Sequence, residues 1–516
     1  MAIPNLGVCE TCKRIVKTRH TIENGKVYLT KECATCGTTS ALVSSDAAVW
    51  QKKRDIFEYK PDEAAHACGL NCLSCDHAHR PRMAFLNVTN RCNMNCPICI
   101  ANIPGMGFEF HPPLDYFRRV LDGLAAMDPL PTVNLFGGEP TVREDMFEII
   151  KMAESRGLRI GIVTNGLRLA DEAFCKRVCD SGARVLIAFD GRGVEIYERL
   201  RKNAAAYEKK LKAFENLKKF TNRKHTIMCC VARKVNDKHV RDLIDFCHEN
   251  RSFIANLHMI PLTENWKEGE FSSDITTTIE DVEEIVREAF PGERVEFIPA
   301  GLPHRLKKVF SFFGSPRLTF GGVHPNCESA MIFFSDGERY WPVSEFLKVP
   351  MADFCHDVLV AVRNLDARME RLDPKRFFGR WRGRIKILRT LLPLMRRGFN
   401  LRRMVRGRPS AVIFKILAGL LFGRSLKDLL RKHTRFGHTL GMIILPFEER
   451  HSVEAERLKY CTSGFALEDP DTGAIRVIPV CTYPLFRDDL ERRIAAKCAA
   501  EKAAAAAPAP SGAPTA

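Results

Sequence analysis

The run Cys92-Asn-Met-Asn-Cys96-Pro-Ile-Cys99 carries the strongest chemical signal in the chain. Three thiolates in a CxxxCxxC loop can hold three irons of a [4Fe-4S] cluster, leaving the fourth iron open to a bidentate small ligand; a zinc knot is the competing reading. Cys9-x-x-Cys12 and Cys33-x-x-Cys36 form two knuckles around about twenty residues and supply a closed four-thiolate site for one iron or zinc. With no open coordination position, that metal is structural or, if iron, an electron relay. Cys68-Gly-Leu-Asn-Cys72-Leu-Ser-Cys75 repeats the CxxxCxxC spacing just ahead of the first and is expected to hold an auxiliary cluster. Its fourth ligand is open among His66, His77, His79, a distant cysteine and substrate; a zinc site completed by one histidine is the alternative. Cys327, Cys461 and Cys481, with Cys355 as the fourth candidate, would gather into a second auxiliary cluster. Cys355 reads equally well as a buried apolar thiol, and Cys175, Cys179, Cys229, Cys230, Cys247 and Cys498 read as core.

Six apolar strands alternate with amphipathic helices in the segment that must position these groups. The strands are expected at 84–89, 133–136, 159–164, 184–189, 225–231 and 253–261, and the helices at 114–127, 143–156, 170–181, 204–220 and 237–250. This repetition predicts an α/β fold with a parallel sheet or partial (β/α)6 barrel, whose site lies past the strand C-termini. The Cys92 loop directly follows the first strand. Gly137-Gly138-Glu139-Pro140 closes the second, Thr164-Asn165-Gly166 the third and Asp190-Gly191 the fourth. The paired glycines would let the backbone approach a ligand, and Glu139 would give an anionic acceptor.

The expected organisation is a four-cysteine module at 1–60, an auxiliary cluster segment at 61–83, the barrel at 84–300 and a post-barrel cluster-binding region at 301–374. A basic helical segment at 375–436, a cluster-binding unit at 437–492 and a disordered tail at 493–516 follow. The net charge of +17 is concentrated: between Lys375 and Arg435 stand 19 Lys/Arg against the single acid Asp428, so the rest of the chain is close to neutral. No apolar run reaches the roughly 18 residues of a membrane span, and the N-terminus lacks a secretory pattern. A cytoplasmic protein, peripheral at the inner face of the membrane, is expected. Twenty cysteines in a reducing compartment point to metal rather than disulfides.

The Cys92 loop and the GGEP element resemble the radical S-adenosylmethionine (SAM) superfamily. That resemblance implies SAM chelated to the open iron, reductive cleavage to a 5′-deoxyadenosyl radical and hydrogen abstraction from unactivated carbon. It also implies that Gly137, Gly138, Glu139 and Pro140 receive the SAM amino group. Thr164, Asn165 and Asp190 would make polar contacts to methionine or ribose, and His258 to Pro261 would run beside adenine. The CxxC pair, CGLxCxxC, LNVTNRCNxxCPIC, NLFGGEPTVRED, HPNC and IPVCTY together resemble the tetraether lipid synthase branch, which includes proteins labelled pterin methyltransferases. The expectation drawn from it is coupling or modification of lipid hydrocarbon chains, with two auxiliary [4Fe-4S] clusters and one mononuclear iron or zinc. Expected partners are SAM, a lipid substrate, an anionic membrane surface bound by the basic helices, and an electron donor such as ferredoxin or flavodoxin. Two alternatives stand beside it. One is a radical methyltransferase acting on a pterin or similar small molecule; the other is a tRNA or peptide modification enzyme docking through the basic helices. Sparse aromatic residues in that segment disfavour nucleic acid. Lipid predicts a long apolar tunnel to the open iron, a pterin a short polar pocket, and a macromolecule an open groove.

Overall fold

The computed structural model describes residues 5–59, 68–73, 81–263, 276–314 and 320–506. The N-terminal module is an antiparallel sheet of β1 (Leu6–Val8), β2 (Ile15–Glu23), β3 (Lys26–Cys33) and β4 (Gly37–Ser44), in that order. Asn24 and Gly25 both adopt positive φ and turn β2 into β3, the two-residue hairpin that Asn-Gly favours. The helix Ala47–Phe57 follows, capped by the Asp46 carboxylate on the N–H groups of Ala48 and Val49. Its buried Lys53 reaches Glu280 and Glu283 of the helix Ile279–Glu288 at 2.7 and 2.8 Å, tying module to barrel.

The central strands are β5 (Met83–Thr89), β6 (Thr132–Gly137), β7 (Arg159–Thr164), β8 (Arg184–Ala188), β9 (His225–Val231) and β10 (Ile254–Pro261). They pair in parallel in sequence order, as the alternating pattern predicts. Helices between them bury their apolar faces, including Phe117, Val120, Ile149, Val178, Phe214, Leu217 and Ile244, against Leu86, Leu135, Ile162, Ile187 and Ile227 of the sheet. The same sheet takes in β11 (Ile298–Pro299), β12 (Ser329–Ser335), β13 (Tyr340–Pro342), β14 (His438–Ile444), β15 (Ser463–Glu468) and β16 (Ile475–Pro479). β14 lies parallel to β10 and antiparallel to β12; at the other end β15 lies parallel to β5 and antiparallel to β16. The result is an α/β fold with a mixed sheet, an open path among the described strands from β11 to β16.

The C-terminal residues therefore extend both ends of the barrel sheet instead of forming a unit of their own. The helix Tyr483–Ala506 also runs past the 493 boundary at which disorder was expected, burying Ile494 and Cys498 against the core. The basic segment forms the helices Phe377–Gly398, Pro409–Leu421 and Leu426–His433. Ile387 packs with Phe312, Val362, Leu365 and Met369, and Val412 is buried, while Phe377, Phe378, Trp381, Phe414 and Phe422 of the same segment stay exposed. Among the described residues, no helix is long and apolar enough to cross a membrane.

Candidate active site at the cluster loop

The loop bearing Cys92, Cys96 and Cys99 leaves the C-terminal end of β5 and is pinned from several sides. The Met94 N–H donates to the Cys92 sulfur at 3.4 Å, and the Asn90 amide donates to the Phe108 carbonyl while accepting from the Phe110 N–H. From the end of β6, Gly138 and Glu139 donate their N–H groups to the carbonyls of Thr89 and Arg91, at 2.7 and 2.9 Å. A Cβ on Gly137 would lie 2.2 Å from the Thr89 carbonyl oxygen, and one on Gly138 2.3 Å from that of Arg91. Side chains are thus forbidden here by the chain that leads into the cysteines, a reason for the glycines that stands beside the ligand approach expected from the sequence.

The buried Glu139 carboxylate accepts from the Thr141 N–H and hydroxyl, the Thr164 hydroxyl at 2.7 Å and the Asn165 N–H at 2.7 Å. Asn165 donates its amide to Asn93 within the cysteine loop at 2.7 Å. Glu139, Thr164 and Asn165 thus stand together around the loop, though the carboxylate already serves four protein donors. Asp190 is also engaged: Arg201 grips it with two bonds of 2.9 Å, and the Cys230 N–H donates to it at 3.0 Å. Burial opposes its charge, but Arg201 outweighs burial and holds the carboxyl below its usual range. Lys210, drawn down to about 8 chiefly by burial, donates to the carbonyls of Asn165 and Ala188.

A cavity of about 610 Å³ opens beside the loop, within the size range of small-molecule sites. Asn90, Cys92, Asn93 and Asn95 face Arg201, Lys202 and Asn203 across it. These three residues end the helix Val194–Arg201 and begin the next loop; no motif in the sequence marked them. Burial, Glu139 and the neighbouring thiols push Cys92 up to about 12; burial also raises Cys96, against the opposing charge of Arg201. The three sulfurs therefore share one partly buried environment, a soft donor set suited to an iron–sulfur cluster.

The N-terminal cysteines sit on the turns β1–β2 and β3–β4. Their four sulfurs all lie within 4.8 Å of one another, and those of Cys12 and Cys33 are 3.6 Å apart. Tetrahedral bonds of about 2.3 Å require sulfur separations of about 3.8 Å, so the site is assembled for a single metal. The N–H groups of Thr35 and Cys36 draw the Cys33 thiol down to about 6, favouring the thiolate. His20, Glu454 and Glu456 also come within 4.8 Å as a potential metal site. There Nε2 faces Glu454 at 3.2 Å and Nδ1 faces Glu456 at 3.6 Å, while Arg54 and Arg457 pair with the same carboxylates. Imidazolium with two arginines already answers the negative charge, and the group joins β2 to the C-terminal segment.

Cys327, Cys461 and Cys481 are half-buried, Cys327 within electrostatic reach of the other two, and each is raised first by desolvation. Cys355 stands apart, packed with Ile56, Phe57, Leu302 and Leu359. Cys68 packs in the same apolar cluster as Cys481, and Cys72 accepts a bond from the Thr482 hydroxyl at 3.3 Å. Cys75 and the candidate ligands His66, His77 and His79 lie outside the described residues.

Residues 86–247 match the model of the radical SAM superfamily. The chain belongs to the radical SAM superfamily. It is a radical SAM enzyme, with SAM as a ligand. Residues 6–45 match the HMPTM N-terminal zinc ribbon domain. The 7,8-dihydro-6-hydroxymethylpterin dimethyltransferase of Methanocaldococcus jannaschii is 25% identical over 504 residues, covering 95% of this chain and 94% of that protein. The AdoMet-dependent heme synthase of Methanosarcina barkeri is 30% identical over 143 residues, covering 27% of this chain and 40% of that protein. The PqqA peptide cyclase of Rhodopseudomonas palustris is 34% identical over 134 residues, covering 25% of this chain and 34% of the cyclase. Among solved structures, Streptococcus suis SuiB bound to S-adenosylmethionine is 13% identical, with a TM-score of 0.36 over 58% of this chain and 77% of that one.

These findings overturn the lipid expectation. The relative that shares nearly the whole chain is a pterin methyltransferase, and the others named act on heme or peptide chemistry. Amides and cations make up most of the wall of the cavity at the loop, with Met94 and Ile103 its apolar members, which differs from the long apolar tunnel that hydrocarbon chains need. Lipid as substrate and the anionic membrane surface as partner are withdrawn, and with them membrane association.

Proposed function

We propose that the chain is a radical SAM methyltransferase acting on a reduced pterin or a similar nitrogen heterocycle. The observation that carries this reading is the end-to-end similarity to the pterin dimethyltransferase, which takes in the N-terminal module as well as the barrel. The polar cavity supports it, because a heterocycle rich in N–H and carbonyl groups needs amide and charged partners.

In this reading Cys92, Cys96 and Cys99 hold the SAM-binding [4Fe-4S] cluster, which supplies one-electron reductive cleavage of SAM. Asn165 and Glu139 brace the loop from the ends of β7 and β6. Gly137 and Gly138 let β6 close against β5, and Pro140 begins the turn that returns Thr141 to Glu139. Asp190 holds Arg201 at the cavity wall, where its guanidinium can meet a carboxylate. Auxiliary clusters fall to Cys68, Cys72 and Cys75 and to Cys327, Cys461 and Cys481, and one zinc or iron to Cys9, Cys12, Cys33 and Cys36.

The test is anaerobic incubation of the reduced, iron-reconstituted full chain with methyl-labelled SAM and 7,8-dihydro-6-hydroxymethylpterin. Labelled methyl on the pterin is the expected product. Formation of 5′-deoxyadenosine with no pterin bound or methylated, across a panel of reduced pterins, would overturn the substrate assignment.

A further inference from the structure

The C-terminal helix reaches the cysteine loop from beneath, and nothing in the motif pattern marks it as part of the site. Arg487, 7% exposed, donates from Nη1 to the carbonyl of Ala101, two residues past Cys99. Its Nε is held by Glu491 at 3.2 Å. Glu491 is itself fixed in the core by the Asn87 amide of β5 at 2.6 Å and the Tyr483 hydroxyl at 2.8 Å. One turn on, Arg492 donates to the Met106 carbonyl at 3.1 Å and stacks over Phe108 at 4.1 Å. Two arginines of one helix therefore hold the return of the loop at Ala101 and at Met106 to Phe108, beside the Asn90 amide. Cys99 is also among the groups whose charge Arg487 feels.

Resting on the reading that Cys92, Cys96 and Cys99 carry the SAM-cleaving cluster, we propose that Arg487 is a positioning residue for that centre. It fixes the segment after Cys99 and sets the potential at which the cluster takes an electron from a one-electron reductant. The sense of the effect follows from charge. Reduction adds one negative charge, and a buried guanidinium in a poorly screened interior stabilises the reduced form. Removing the cation makes the cluster harder to reduce.

The experiment uses the reconstituted full chain, with each cluster's midpoint potential followed by dithionite titration and electron paramagnetic resonance. Arg487→Met should move the SAM-responsive signal to more negative potential while leaving the other iron–sulfur signals in place, and Arg487→Lys should restore most of the shift. Because Arg487→Met strands Glu491 in the core, the paired variant Arg487→Met/Glu491→Gln carries the test if the single variant does not fold. That variant removes opposite charges together, so a smaller shift in the same direction is expected there, from the guanidinium being the member that touches the loop, with iron content unchanged. Wild-type potentials in the paired variant, or an equal shift in every signal, would overturn the proposal. Cys92→Ala/Cys96→Ala/Cys99→Ala separates the two levels of the account. If the SAM-responsive signal survives in it, the cluster assignment fails and takes this proposal with it. If the signal is lost there yet unmoved in the Arg487 variants, the proposal alone fails.

Discussion

At the N-terminal knuckles, Cys12 and Cys33 bring their sulfurs to 3.6 Å on exposed hairpin turns, with backbone N–H groups aimed at Cys33. At the barrel mouth, Cys92, Cys96 and Cys99 sit instead on one loop among charged and amide groups, with Cys92 lining a cavity. Four sulfurs drawn together by local hairpin geometry saturate one metal and leave nothing to bind. In the proposed reading, three sulfurs on a loop braced by strand ends, a neighbouring carboxylate and arginines hold a cluster with a coordination position left over and a cavity beside it. The same residue type thus serves architecture in one place and chemistry in the other, and the elements around it decide which.

Replacing all four N-terminal cysteines with serine gives the largest effect that would sharpen this contrast. Structural four-thiolate zinc contributes about 10–16 kcal/mol of apparent binding energy, which in so small a sheet is folding energy. Residues 6–44 should lose amide-exchange protection in this variant while the barrel strands keep theirs; protection retained throughout would mean that the metal is dispensable.

Lys53→Met attacks the join between the two regions. It leaves Glu280 buried without its cation and Glu283 with Arg287 alone for a cation, a loss of about 3–5 kcal/mol by the usual cost of breaking a buried pair. Chemical denaturation should show that loss, and a change within experimental error would mean that the ion triad does not hold the module to the barrel.

The smallest effect is the pH dependence of the second join, at His20. Burial disfavours the imidazolium, but Glu454 and Glu456 outweigh it and raise the group above 6.5. Its contribution is complete below about 6.5 and fades as pH rises through the raised folded value. Glu454, also opposed by burial, is drawn down to about 2 by His20 and Arg457. Its contribution is complete above about 4.5 and is lost as pH falls toward 2. Protection of β2 from proteolysis should therefore peak between these limits, relative to a His20→Gln variant; parallel profiles for the two proteins would remove His20 from the join.

The six central strands and the helices between them were legible because each carries its own apolar period, and the observed ends of β7 and β9 coincide with those expected. The cysteine spacings were legible because a loop or knuckle is a local object. Contacts that depend on where distant segments come to rest were not. The parallel pairing of β15 with β5 and the helix Tyr483–Ala506, whose alanine-rich end reads as a tail, both arise from tertiary packing. Arg201 and Arg487 look like ordinary surface arginines until Asp190 and Glu491 are seen beneath them. The basic helices misled for a related reason. Arginine and leucine at helical spacing suit a membrane face, but the same spacing also serves a helix that packs on its neighbours, as Ile387 does on Phe312 and Met369.

The contrast between the two cysteine regions meets its most direct test in 5′-deoxyadenosine formation by two reconstituted variants, measured side by side under the same reductant. Cys92→Ala/Cys96→Ala/Cys99→Ala should form none while retaining the N-terminal metal. A variant with Cys9, Cys12, Cys33 and Cys36 all changed to serine should still cleave SAM in whatever fraction remains folded. SAM cleavage that survives in the first variant, or is abolished in a folded second one, would contradict the division of labour between the closed site and the open one.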